Sequence, residues 1–339
     1  MRYRSTIVYL VAALVLGGIY FLDIRSEKKE EAREEEAKVL FPSIPEELTR
    51  LTLRRGERTV VLEKAVEAGE AKGEKAWIVK EPVETGADTF SVNRITSLLP
   101  HLKFTRIIQE SGDTGSFGLE PPPLVLAWAG AGRTGSLSIG EKSPIDQGFY
   151  AQTGDGPRIF LLAAHDKEIL DKDLFDLRDR RLFTFGYDRV TRISLERPNR
   201  SWSFVKSGET TWTLEGDSAF PVDSEKLGAA VRHLTWEEAA SFEKEEAKDL
   251  SPYGLDRPAL RVTLRAGEDR EQLLVGKSPD GMKDGEEKRL YARMAERPHI
   301  VTIKAGPLEE LPQTLEDVRA IEPEGEEPAD RGPEKGPGG

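Results

Sequence analysis

Few residue groups in this chain have types and spacing suited to chemistry. Lys142-Ser143-Pro144 and Lys277-Ser278-Pro279 each set a lysine beside a serine, the pair that a Ser-Lys hydrolase uses as base and nucleophile. Both follow strand-like runs, and adjacent residues in a turn point apart, so each is expected to be a turn closing a strand. Asp173-Leu174-Phe175-Asp176-Leu177-Arg178-Asp179-Arg180-Arg181 gathers carboxylates that could serve acid–base catalysis or hold a metal. Interleaved arginines point instead to internal salt bridges and a hinge or interaction surface, carried by Asp176, Arg178, Asp179, Arg180 and Arg181. His101, His165, His233 and His299 form no HExxH or other close pair, and there is no cysteine. Neither a metal site, a thiolate nucleophile nor a cofactor is therefore expected, and no catalytic residue is assigned. Gly118, Gly140, Gly254 and Gly276 belong to neither GxGxxG nor a phosphate loop, and suit turns that need glycine's backbone freedom. Trp77, Trp202 and Trp212 lie in alternating runs that bury them. Trp128 and Trp236 are expected to be partly exposed, an aromatic face open to a glycan.

The elements that must position these residues occur twice. Phe117-Gly118-Leu119-Glu120 returns as Tyr253-Gly254-Leu255-Asp256, and Ile139-Gly140 returns as Val275-Gly276, each pair 136 residues apart (253 − 117 and 276 − 140). Trp77-Ile78-Val79 answers to Trp212-Thr213-Leu214 at 135 (212 − 77). Three landmarks in one order at one spacing indicate a tandem duplication. Period-two alternation around Leu51 and Leu53, and in residues 190–195, indicates antiparallel strands, with turns at Arg55-Gly56 and Pro198-Asn199. Asp88 is placed to cap a helix through Val92, Ile95, Leu98 and Leu99 that Pro100 stops; Asp223 caps one through Leu227, Ala230, Val231 and Leu234. Four further strand runs follow each helix (124–128, 135–139, 149–152 and 158–162, then 260–264, 272–275, 290–294 and 299–303), and short helical pieces at 166–170 and 308–311 close the copies. Strands, one helix, then strands exclude a regular βαβ alternation. The expected fold is α+β: an N-terminal transmembrane helix, then two tandem, mostly antiparallel β-rich modules, each with a packed helix.

Ser5 to Leu22 is an uncharged, mostly apolar run of 18 residues (22 − 5 + 1) flanked by Arg2, Arg4, Asp23 and Arg25. As a helix it reaches roughly 27 Å, near the hydrocarbon thickness of a bilayer. Bulky Ile19-Tyr20-Phe21-Leu22 offers no small-x-small cleavage site, so residues 1–25 read as an uncleaved signal-anchor in the inner membrane. Arg2 and Arg4 favour a cytoplasmic N-terminus and a periplasmic or extracytoplasmic body. Residues 26–43 read as a charged stalk, 44–183 as module one, 184–320 as module two, and 321–339 as a disordered acidic Pro/Gly tail. A net charge of −12 with 32% charged residues argues against nucleic acid as a partner.

The anchor, the strand at Trp77 followed by the Asp88 helix, Phe117-Gly118-Leu119, Ile139-Gly140 and Leu177-Arg178-Asp179-Arg180 together resemble the bacterial family catalogued as domain of unknown function 4340. The resemblance covers roughly residues 40 to 320. It implies an envelope protein, of a kind often encoded near ABC-type transport components of the gliding-motility type, and it carries over no catalytic residue. The expected function is a non-enzymatic, membrane-anchored accessory that binds a protein partner in an envelope complex, with an ABC transporter permease in view. The alternatives are an envelope glycan-binding module and a hydrolase on the junction carboxylates.

Overall fold

The computed structural model describes residues 29, 33–65, 76–283 and 285–320. The expected anchor (1–25) and tail (321–339) lie outside the described residues, among which no helix is long and apolar enough to cross a membrane. The chain divides into two compact units, Met1–Asp179 and Arg180–Gly339.

In the first unit the strands are β1 (Arg50–Arg55), β2 (Arg58–Lys64), β3 (Trp77–Glu81), β4 (Thr85–Gly86), β5 (Phe104–Gln109), β6 (Leu124–Gly130), β7 (Arg133–Lys142), β8 (Gly148–Thr153) and β9 (Ile159–Ala163). They form one antiparallel sheet in the order β4-β3-β2-β1-β6-β7-β8-β9-β5. Alternation builds it: Leu51 and Leu53 point to the core from β1, and they face Leu62 and Val60 of β2 and Trp128 and Leu126 of β6. The helix α1 (Thr89–Leu98) comes between β4 and β5 in the chain and buries Val92 and Ile95. It packs beside the short helices α2 (Ala164–Leu170) and α3 (Leu174–Leu177). Leu99, Leu102, Leu126, Leu137, Ile139 and Leu177 complete a core in which each fully buried side chain contributes about 1.5–3 kcal/mol.

The second unit repeats this plan with β10 (Arg192–Arg197), β11 (Arg200–Lys206), β12 (Trp212–Leu214), β13 (Ser241–Lys244), β14 (Leu260–Ala266), β15 (Asp269–Val275), β16 (Arg289–Met294) and β17 (Ile300–Lys304). Their order is β12-β11-β10-β14-β15-β16-β17-β13, again antiparallel throughout. Its helix α4 (Ser224–Thr235) buries Leu227, Ala230, Val231 and Leu234, and α5 (Gly306–Glu309) lies against it. The α+β reading with two tandem antiparallel modules therefore holds.

Several boundaries differ from the expectation, each for a physical reason. Val39 bridges to Lys103, and Leu40 and Phe41 are buried, so the last residues assigned to the stalk belong to the first unit's core. Arg181 bridges to Glu238 while Leu182 and Phe183 enter the second core, so the division falls after Asp179, ahead of the expected 183. The edge strands β5 and β13 were not expected. They are half-exposed and broken by register shifts, and so lack a clean apolar alternation. Beyond α1 the chain tightens into a 3-10 turn at Leu99–His101, with Pro100 in a first-turn position where no N–H is required.

Candidate functional site

Most of the residues offered for chemistry hold the fold together. Asp173 caps α3 by accepting from the Asp176 amide at 3.1 Å, and Asp176 accepts in return from the Asp173 amide at 3.1 Å. Arg178 is buried and pairs with Ala87, and the Asp179 amide donates to the Gly86 carbonyl at 2.8 Å. In the second unit Arg180 meets Glu238 at 2.9 Å, and the Arg181 carbonyl accepts from Arg297 at 2.6 Å. The junction run therefore splits: 173–179 closes one unit and 180–181 opens the next. Its second-unit counterpart is Leu315–Val318, where Thr314 and Asp317 form the same reciprocal cap and Val222 bridges to Arg319. The amides of Thr314 and Gln313 hold the Asp317 carboxyl below the usual carboxylate range, the Thr314 amide acting most strongly.

The repeated landmarks have matching structural work. Asp88 accepts from the Ser91 amide at 2.7 Å and Asp223 from the Lys226 amide at 3.0 Å. Gly118 and Gly254 adopt left-handed backbone at φ 66° and 68°. A Cβ on Gly140 would lie 2.3 Å from the Phe117 carbonyl oxygen, and one on Gly276 2.0 Å from that of Tyr253. Phe117 meets Tyr150 edge-on at 4.8 Å, and Tyr253 meets Tyr291 likewise at 5.0 Å. Trp77 and Trp212 are buried in their sheets.

Ser143 is buried, its Oγ accepting from the Ile145 and Asp146 amides at 3.4 and 3.2 Å and from the Tyr150 hydroxyl at 3.5 Å. Lys277 pairs with Asp280 at 3.4 Å. Lys142 thus ends β7 with Ser143 just beyond it, and Lys277-Ser278 lies just beyond β15. His233 Nδ1 lies 2.6 Å from Glu310, and among the described residues no three His, Asp or Glu side chains converge as metal ligands. Burial pushes the carboxyls of Asp166 and Glu237 up, against the opposing pull of His165 on the first and of the Lys304 amide on the second.

The described residues of the first unit form concavities of two kinds. Adjoining clefts of about 470 and 410 Å³ share Trp128, Ser136 and Asp155. Trp128 is buried, contrary to the expected partial exposure. It stands opposite Gly135, whose missing side chain leaves room for the indole, since a Cβ there would lie 2.3 Å from the ring; Phe41 packs edge-on at 5.8 Å. The larger concavity, about 900 Å³, runs between α1 and the segment before β1, with Trp77, Lys64, Glu46, Asn93, Ser97 and His101 in its wall. Trp77 is buried and reaches this groove only at its margin, so the wall is chiefly amide, hydroxyl and charged groups. Sequence reading missed this groove because no single residue in it departs from an ordinary pattern. Trp236, by contrast, is 79% exposed, as expected of an aromatic face.

A family model described as a domain of unknown function (DUF4340) matches residues 77–215 and again 212–329. Each match starts at a tryptophan strand, Trp77 or Trp212, and so runs out of phase with the compact units. No curated protein and no solved structure matches the chain.

Proposed function

Because the chain belongs to the DUF4340 family, whose residues common to both modules here serve to cap, turn and close the fold, we propose that it is a non-enzymatic interaction protein. In this reading residues 5–22 anchor it in the inner membrane, the N-terminus is cytoplasmic, and the body is periplasmic or extracytoplasmic. There it serves as an accessory of an envelope complex, with an ABC transporter permease as the foremost partner. The observation that carries the proposal is the engagement of Ser143, Asp173 and Asp176 in local caps and turns, which leaves open grooves as the distinctive surface among the described residues. The test is purification of the full chain from its own membranes in mild detergent. A membrane-protein partner at fixed stoichiometry is expected; recovery of the chain alone, or its release from membranes by alkaline carbonate, overturns the proposal.

A second reading, binding of envelope glycan, is favoured by one observation, the exposure of Trp236. Titration of the intrinsic tryptophan fluorescence with soluble cell-wall fragments decides it, since a glycan on that ring must change its emission.

A further inference from the structure

The two modules differ at the edge of their buried tryptophan. In the second, Tyr187 meets the indole edge of Trp212: the indole N–H donates to the Tyr187 hydroxyl at 3.5 Å, with ring centroids 6.5 Å apart. Lys206 Nζ stands 4.3 Å and Arg232 Cζ 4.8 Å from the Tyr187 ring centroid, both at cation–π range. Gly228 makes room, for a Cβ there would lie 2.7 Å from the Tyr187 hydroxyl.

Backbone pairing fixes which first-module residues occupy these places. Leu40 and Leu182 donate to Leu102 and Glu237, and Lys64 and Lys206 to Thr49 and Thr191, so the early segments align at 142 residues (182 − 40 and 206 − 64). The helices align at 135 (223 − 88) through their caps. Tyr187 therefore corresponds to Pro45, Lys206 to Lys64, Trp212 to Trp77, Gly228 to Asn93 and Arg232 to Ser97. The tyrosine is gone and the cation from the helix has become a hydroxyl. What remains of its surroundings (Lys64, Trp77, Asn93 and Ser97) all borders the groove of about 900 Å³.

We infer that this groove is a docking slot for a tyrosine side chain of a partner protein, its hydroxyl set at the indole edge of Trp77 as that of Tyr187 is at Trp212. The charge around the slot specifies the neighbours of that tyrosine. Arg232 has no cationic counterpart, Glu46 lies in the wall, and Lys64 is paired with Glu47 at 3.1 Å. The slot accordingly favours a tyrosine flanked by lysine or arginine, which supplies the missing cation and faces the carboxylates. The inference rests on the reading of the chain as an interaction protein and names the chemistry that the partner presents.

The test uses the full chain in detergent with its five tryptophans replaced by 5-fluorotryptophan, the Trp77 fluorine resonance being assigned with Trp77→Phe. The probes are acetyl-Lys-Tyr-Lys-amide, the same peptide with alanine for tyrosine, and soluble muropeptides. A saturable shift of the Trp77 resonance by the tyrosine peptide is expected, at least roughly tenfold weaker with the alanine peptide. The shift is expected to vanish in the double variant Pro45→Tyr/Asn93→Gly, which rebuilds the second module's plug. If that variant does not fold, the comparison of the two peptides on the unaltered chain decides. An unmoved Trp77 resonance, equal response to both peptides, or response to muropeptides alone overturns the inference. A partner that co-purifies while Trp77 ignores the tyrosine peptide removes the slot and leaves the proposed function standing. Binding of the peptide with no co-purifying partner does the reverse.

Discussion

The Asp88 amide donates to the Leu177 carbonyl at 2.8 Å, so one residue ties the closing segment down through its backbone while its side chain caps α1. Asp223 does the same with Val318 at 2.8 Å. Loss of the side chain removes the cap and leaves the tie. Asp88→Ala and Asp223→Ala are each expected to cost about 1 kcal/mol, and Asp88→Asn only a few tenths. Urea unfolding measures this; equal losses for alanine and asparagine would contradict the cap assignment.

Gly140→Ala is expected to destabilise by roughly 1–3 kcal/mol, because the new methyl is driven into the Phe117 carbonyl. Gly276→Ala should behave alike against Tyr253. Gly156→Ala, with open space around it, is the control and should change stability within about 0.5 kcal/mol. Three indistinguishable unfolding midpoints would show that the close approach has no energetic weight.

Phe41→Ala is expected to cost about 3 kcal/mol, since the ring is buried and packs edge-on against Trp128. Thermal unfolding followed by tryptophan emission reads the loss. A value near zero would return residues 38–41 to the stalk.

Glu237 supplies a pH-dependent test. Burial holds its carboxyl above the ordinary carboxylate range, against the opposing Lys304 amide. A raised folded value means that the folded chain binds this proton more tightly than the unfolded one. The stabilisation is therefore full below the unfolded value and is lost as pH rises through the folded one. Glu237→Gln should raise the melting temperature by roughly 1–2 °C near neutral pH and by nothing near pH 4. An equal difference at both pH values would assign the effect to something other than the buried charge.

What the sequence discloses and what it hides follow from how each feature is encoded. Asp88, Asp223, Gly140 and Gly276 are legible because caps and close backbone approaches demand particular residue types, and a repeat displays the demand twice. The edge strands Phe104–Gln109 and Ser241–Lys244 are not, because a half-exposed strand needs no alternating pattern. Trp128 misleads for a related reason: its burial depends on Gly135 across the strand pair, a relation that appears only once the register is known. The groove is the least legible feature. It lies where Pro45 takes the place of Tyr187, an exchange that becomes visible only when the two modules are aligned through their hydrogen bonds.

The chain joins each module beside the C-terminal end of its long helix, where Leu40 bonds Leu102 and Leu182 bonds Glu237, and departs beside the N-terminal end, at Asp88 and Asp223. Arrival and departure are thus roughly 21 Å apart along the helix axis, the rise over the 14 residues (102 − 88 and 237 − 223) between the two tie points. A module threaded in this way is stapled to both ends of its long helix by backbone hydrogen bonds, so loss of that helix frees the chain's arrival and its departure together.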